Sequence, residues 1–309
     1  MTYALLSLGL VLLGTTVPQA PRPSALTTPA PAAAVNDPHQ LAIGRPGRVK
    51  AGPGLTDLRT GRPATLADVV RAAQGVRFVL VGESHDNAAH HQFQADVIAA
   101  MANSGRPVIV GFEQFTFPRQ RDLNAWSLGG QTEADFITAS QWKTEWGFAF
   151  EIYRPIFTVA REHRIPLVAL NVPRDWVRTV GRGGPEALPA EAYGQVPPLH
   201  LDNQAHQAIF GSLMGGHPMT GDSGRRMYAA QVLWDEGMAD RALRAFGRRP
   251  GTRAAMVILA GNGHVMYGEG IATRITARTK ERTLTITTLD KDAPAEVARG
   301  LGDFAYRAP

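Results

Sequence analysis

The chain has 309 residues, 44% hydrophobic and 19% charged, the composition of a folded protein with a substantial core. The formal net charge of +5 is thinly spread, and its densest basic cluster, Arg241 to Arg253, forms no aromatic-studded stripe, which argues against nucleic acid as a partner. Cysteine is absent, so disulfides, thiolate metal sites, thiol nucleophiles, iron–sulfur clusters and a lipid anchor on cysteine are excluded.

In chain order, Tyr3 to Leu13 is an apolar run, shorter than the roughly 20 residues of a membrane span. It fits the apolar core of a signal peptide, although Met1 and Thr2 ahead of it bring no Lys or Arg. A buried first helix is the alternative. Pro18 to Ala34 is a Pro/Ala/Thr-rich linker, and Ala32 and Ala34 are candidate cleavage positions. Residues 1–34 are therefore expected to be signal peptide and linker. The product would be exported (periplasmic, envelope-associated or secreted), with no membrane span after cleavage and no lipid on cysteine. The folded domain is expected over residues 47–309.

Val49 to Ala51 predicts a short strand, and Thr65 caps a helix running to about Ala73. Val76–Val81, Pro107–Phe112, Pro166–Leu170 and Ala254–Ala260 are short, β-rich apolar runs. Helical stretches separate them, among them Ala88–Asn103, with Asp86 as its expected cap, and Pro155–Glu162. Thr283–Leu289 alternates and reads as a final edge strand. Continuous apolar runs between helices predict an α/β fold with a mostly parallel central sheet flanked by helices. Helix-rich insertions at about 118–150 and 176–249 interrupt the rhythm, the second expected to form a cap.

Ligands of parallel α/β sheets bind beyond the carboxyl ends of the strands. The first apolar run ends in Gly82-Glu83-Ser84-His85, the second in Glu113-Gln114, the third in Asn171 and the fourth in Gly261-Asn262-Gly263-His264. Parallel strands would therefore bring Glu83, His85, Glu113, Asn171 and His264 to one edge. Two Gly-x-x-His turns at equivalent positions, with carboxylates beside them, suit a bound Mn, Fe or Zn ion or an activated water. The plainer alternatives are turn histidines, an ion pair of Glu83 or Glu113 with an arginine such as Arg174, and Asn171 as a cap. His90 and Gln94 share a helix face near the pocket, while a solvated face is the competing reading for His91. Gln231 and Asp235, four residues apart on a helix over Met227–Ala239, could face the pocket as well. Phosphate-binding loops and a Gly-x-Ser-x-Gly turn are absent, so nucleotide binding and a serine hydrolase find no support.

Val79–His91, Gly111–Phe115, Tyr153–Phe157, Ala169–Arg174, Ala230–Ala239 and Ala260–His264 follow one another as in ChaN-like proteins. From about Gly61 to Arg274 the chain resembles this haem-binding-uptake branch of the Tiki/TraB/erythromycin-esterase-like superfamily. The resemblance implies a haem-binding protein of iron acquisition, with haem held among helices and in some members between subunits, so a homodimer is an expected partner state. It also implies a core related to metal-dependent proteases and esterases, whose Glu and His positions match Glu83, His85, Glu113 and His264. Tyr and His are the natural axial ligands for haem. Tyr228, Tyr153, His206, His217, His90 and His200 are the candidates. Two functions follow: haem capture, or metal-dependent hydrolysis with Glu83, His85, Glu113 and His264 as metal ligands and catalytic groups.

Overall fold

The computed structural model describes residues 37–215, 221–247 and 253–308. The expected signal peptide and linker, and His217, lie outside them. The strands are β1 (Arg48–Lys50), β2 (Gly54–Asp57), β3 (Arg62–Ala64), β4 (Phe78–Glu83), β5 (Val108–Thr116), β6 (Leu167–Asn171), β7 (Ala255–Gly261), β8 (Thr283–Leu289), β9 (Glu296–Ala298) and β10 (Phe304–Arg307). The helices are α1 (Leu66–Ala72), α2 (Ala88–Asn103), α3 (Gln120–Ser127), α4 (Glu133–Ala139), α5 (Trp142–Glu145), α6 (Phe150–Glu162), α7 (Arg174–Gly183), α8 (Gln204–Leu213), α9 (Gly221–Gly247), α10 (Asn262–Val265) and α11 (Ile271–Thr279).

Eight strands form the main sheet in the order β3-β2-β10-β8-β4-β7-β5-β6, and β1 pairs with β9 in a small second sheet. From β10 to β6 all neighbours are parallel; β2 adds antiparallel to β10, and β3 antiparallel to β2. The α/β reading of the apolar runs therefore holds. β4 and β7 are buried along their whole length because helices cover both faces. Val79, Val81, Val110, Val257 and Leu259 pack with α2 and α6, whereas Phe78, Leu80, Ile109, Met256 and Ile258 face the second half of α9 and α11. This alternation is the period-two rule of a strand.

Three expectations change. Thr283–Leu289 is an interior strand, because the short segment Phe304–Arg307 pairs along its outer side. The cap of α2 is Asn87, whose side chain accepts from Ala89 and His90 backbone N–H groups, and not Asp86. The long α9 lies against the sheet through Met238, Ala239, Ala242 and Phe246, so its latter half is a face helix, not a cap. By contrast, α1 begins at the cap expected at Thr65, where Asp68 closes a capping box.

The chain order matters for the site. After β4 the chain crosses to β5, leaving a place between them that β7 fills much later. The carboxyl ends of β4, β7 and β5 thus stand side by side, at the position where parallel sheets bind ligands.

Candidate functional site

Glu83 is the last residue of β4 and is buried. A buried carboxylate needs donors, and Glu83 has four. Its Oε1 accepts from Nδ1 of His85 at 2.9 Å and from the Tyr153 hydroxyl at 2.7 Å. Its Oε2 accepts from the side-chain amides of Gln94 at 3.0 Å and Gln114 at 3.1 Å. Burial opposes ionisation, but His85 and His91 hold the pKa of Glu83 well below the ordinary carboxylate value.

His85 is the open member of the group, with its side chain 35% exposed. The ring lies edge-on to Trp146, centroids 4.6 Å apart, and is tilted against Phe148 at 5.6 Å. With Nδ1 committed to Glu83, Nε2 is the nitrogen left for a ligand; no hydrogen bond with another described residue engages it. Burial lowers its basicity, yet Glu83 and Glu113 outweigh that and raise the pKa.

The second half of the site is closed. Glu113, on β5, accepts from the Gly261 backbone N–H at 2.6 Å and lies 3.4 Å from Nε2 of His264. Nδ1 of His264 meets Oδ1 of Asp235 at 2.8 Å, with the Gln231 amide at 3.1 Å. Burial pulls the His264 pKa down, but Glu113 and Asp235 together push it up to about 10. Asp235 also stands 3.1 Å from Nε2 of His206, whose Nδ1 meets the Tyr228 hydroxyl at 3.0 Å.

Two glycines make the halves meet. A Cβ on Gly82 would stand 2.1 Å from Oδ1 of Asn262, which bridges to Thr288 of β8. A Cβ on Gly261 would lie 2.7 Å from Cε1 and 3.2 Å from Nε2 of His85, and 3.6 Å from Oε2 of Glu113. Only glycine leaves that space between His85 and Glu113.

The edge assembled from the strand ends thus brings together Glu83, His85, Glu113 and His264, as anticipated, with Gln94, Gln231 and Asp235 behind them. Asn171 does not cap a helix; it ties β6 to β5 by donating to the Glu113 carbonyl at 3.0 Å. Arg174 is exposed, and the carboxylates pair with histidines instead. His91, a candidate for a solvated face, is fully buried and stacks on Tyr153 at 3.7 Å.

Four of the tyrosine and histidine positions considered for haem are buried and engaged. Tyr153 is held by Glu83, and burial with that carboxylate pushes its phenol above the ordinary value. Tyr228 is bonded to His206, and burial raises its phenol too. His206 faces Asp235. His90 accepts from the Ser84 backbone N–H at 3.0 Å, and burial lowers its pKa. His200 is exposed. The roles of Gln114, Trp146 and Phe148 were not legible in the sequence, because nothing in their spacing ties them to β4.

Among the described residues, no group of three or more His, Asp or Glu side chains is arranged to hold a metal ion. The expectation of Mn, Fe or Zn shared by Glu83, His85, Glu113 and His264 therefore finds no support. The reason is local: Glu83 spends both oxygens on donors and His264 gives Nδ1 to Asp235.

The family model described as haem-binding uptake, Tiki superfamily, ChaN, matches residues 69–275. The chain belongs to this family. Among solved structures, it is similar to ChaN of Campylobacter jejuni, described with cofacial haem binding, at 15% identity and a TM-score of 0.64 over 83% of this chain and 97% of that one. At that identity the likeness shows a shared fold. A mutant of the erythromycin esterase EreC in its open conformation aligns at 13% identity and a TM-score of 0.45, over 77% of this chain and 76% of that one. The type III effector HopBA1 aligns at 10% and 0.44, over 79% and 92%. No curated protein matches the chain in sequence.

Proposed function

We propose that this ChaN-family chain captures haem at the carboxyl edge of β4, β7 and β5, where His85 would hold the iron. One observation carries the assignment. His85 offers an Nε2 that faces the space over Gly261, while its Nδ1 is anchored on a carboxylate that four donors hold in place. A histidine so backed by a carboxylate has a set tautomer and orientation and is a better ligand.

The surroundings fit the group. Trp146 and Phe148 supply aromatic surface beside His85. Across the edge, Leu213 of α8 sits at Gly263 and is 41% exposed. Met227, one helical turn before Gln231 on α9, is also partly exposed. A porphyrin needs apolar walls of this kind and one open ligand atom. When bound, the haem iron would offer a coordination site to Nε2 of His85, and the protein's part would be to hold and shield the group.

Export and pairing belong to the same proposal. The apolar run Tyr3–Leu13 and the Pro/Ala-rich stretch after it support export. No helix among the described residues is long and apolar enough to cross a membrane. Cofacial haem in ChaN of Campylobacter jejuni supports a homodimer on loading.

The test is a haemin titration of the protein followed in the Soret region, with the mass of the loaded species measured alongside. Wild type is expected to give a saturable band and a dimer, and His85→Ala to lose the band while Tyr228→Phe keeps it. An unchanged band in His85→Ala overturns the ligand assignment. A wild type that gives no saturable band overturns haem capture.

A second reading, hydrolysis without a bound metal, is favoured by one feature: two carboxylate–imidazole pairs meet over Gly261. His85 would take a proton from water through Nε2, and the protonated His264 would stabilise the developing charge or supply a proton. Here Glu113→Gln should remove ester cleavage. The absence of any turnover of activated esters by wild type would set this reading aside.

A further inference from the structure

The pocket contains two imidazoles, but a third, His206, and the carboxylate between it and His264 lie outside any role assigned so far. Asp235 is fully buried on α9 and shares its oxygens between them, Oδ1 with His264 at 2.8 Å and Oδ2 with His206 at 3.1 Å. Arg274 of α11 is 3.8 Å from Oδ2 and is itself tied to the carbonyls of Glu269 and Gly270. Tyr228, Gln231 and Asp235 fall on one face of α9, at a spacing of three and four residues. The line Glu113–His264–Asp235–His206–Tyr228 therefore runs from the pocket into the protein, hydrogen-bonded at His264–Asp235 and His206–Tyr228 and joined by charge proximity at the other two steps.

What this line restrains is Glu113. Its carboxylate borders the same space over Gly261 as Nε2 of His85. Two contacts fix its position there: the Gly261 N–H on Oε2 and His264 beside Oε1. His264 can hold Glu113 only while its own ring is fixed with Nδ1–H on Asp235.

We propose that Asp235 is a positioning residue of the pocket: by orienting His264 it holds Glu113 back from His85 and keeps Nε2 of His85 open to a ligand. This rests on the reading that the strand-end pocket is the functional site. The groups facing His264 agree with it. Glu113 from β5 and Asp235 from α9 are negative, Arg274 from α11 is positive, and His85 and His206 complete the set. Without Asp235, His264 loses the acceptor on Nδ1, and Glu113 becomes able to swing onto His85.

The experiment is haemin affinity in Asp235→Asn and in Asp235→Asn combined with Glu113→Gln. Asp235→Asn should weaken binding by about tenfold, the low end of the range for outer residues that support a ligand site. Removing the competing carboxylate in the double variant should restore most of the loss, which a merely structural defect would not allow. Unchanged affinity in Asp235→Asn, or a loss that Glu113→Gln leaves in place, overturns the proposal. Should wild type bind no haemin, the haem reading fails, and the inference is judged on the ligand-free protein labelled with nitrogen-15 histidine. There, a slowly exchanging His264 Nδ1–H proton bonded to Asp235 supports it, and a His264 ring without that proton overturns it. This measurement needs no variant to fold.

Discussion

The two Gly-x-x-His turns have the same spacing and lie at the ends of neighbouring parallel strands, one residue out of register, and the structure uses them in opposite ways. After Gly82 the strand continues through Glu83, and the turn carries His85 outward between Trp146 and Phe148. After Gly261 the chain turns at once into α10, and His264 points inward between Glu113 and Asp235. One histidine is a third exposed with a single carboxylate behind it; the other is buried between two. The first is built to meet a ligand and the second to hold the walls. A short motif thus states where a side chain starts, while the element after it decides whether the side chain faces solvent or core.

The largest expected effect separates the two directly. His264→Ala would leave Glu113 and Asp235 buried without their shared cation, and breaking a buried pair in this way costs about 3–5 kcal/mol. His85→Ala removes a partly exposed ring but takes one of four donors from a buried carboxylate, and should cost about 1–3 kcal/mol. Chemical denaturation of both variants tests the contrast, and equal losses would break it.

The pH dependence sharpens the same contrast. His264 has its pKa raised from 6.5 to about 10 in the folded protein. Its contribution to stability is therefore complete below about 6.5 and is lost as the pH rises through about 10. Glu113 and Asp235 have lowered values, so their contribution holds at neutral pH and disappears in acid. The melting temperature should fall between pH 7 and 10 in wild type and fall less in His264→Gln, as thermal scans across that range will show.

The smallest effect on stability belongs to Gly261→Ala. Its backbone angles suit any residue, and the new Cβ meets the movable edge of the His85 ring at 2.7 Å. Stability should change by about 1 kcal/mol or less, while His85 is displaced and haemin affinity falls. If affinity survives, the space over Gly261 is not where the ligand atom is needed.

Much of this was legible in the residues. Val79–Val81, Ile109–Val110 and Val257–Leu259 announce buried parallel strands because both faces must be apolar, and parallel strands carry their carboxyl ends to one edge. That logic places Glu83, His85, Glu113 and His264 together, and helical spacing adds Gln94, Gln231 and Asp235. The family resemblance, carried by the same segments, agrees with the match over residues 69–275.

Tertiary structure decided what each group does there. Tyr153 and Tyr228 looked like haem ligands in a sequence that shows residue type but not burial; folding put their hydroxyls on Glu83 and His206. The four carboxyl and imidazole groups looked like a metal site until their partners were visible, since a carboxylate already held by four donors has no oxygen to give. The tail Phe304–Arg307, too short to show a period, moved β8 from the edge to the interior. Local pattern determined the strands and the edge they share, because side-chain period and strand direction are properties of the chain itself. Which histidine stays open was settled by contacts between residues far apart in sequence, which no local pattern records.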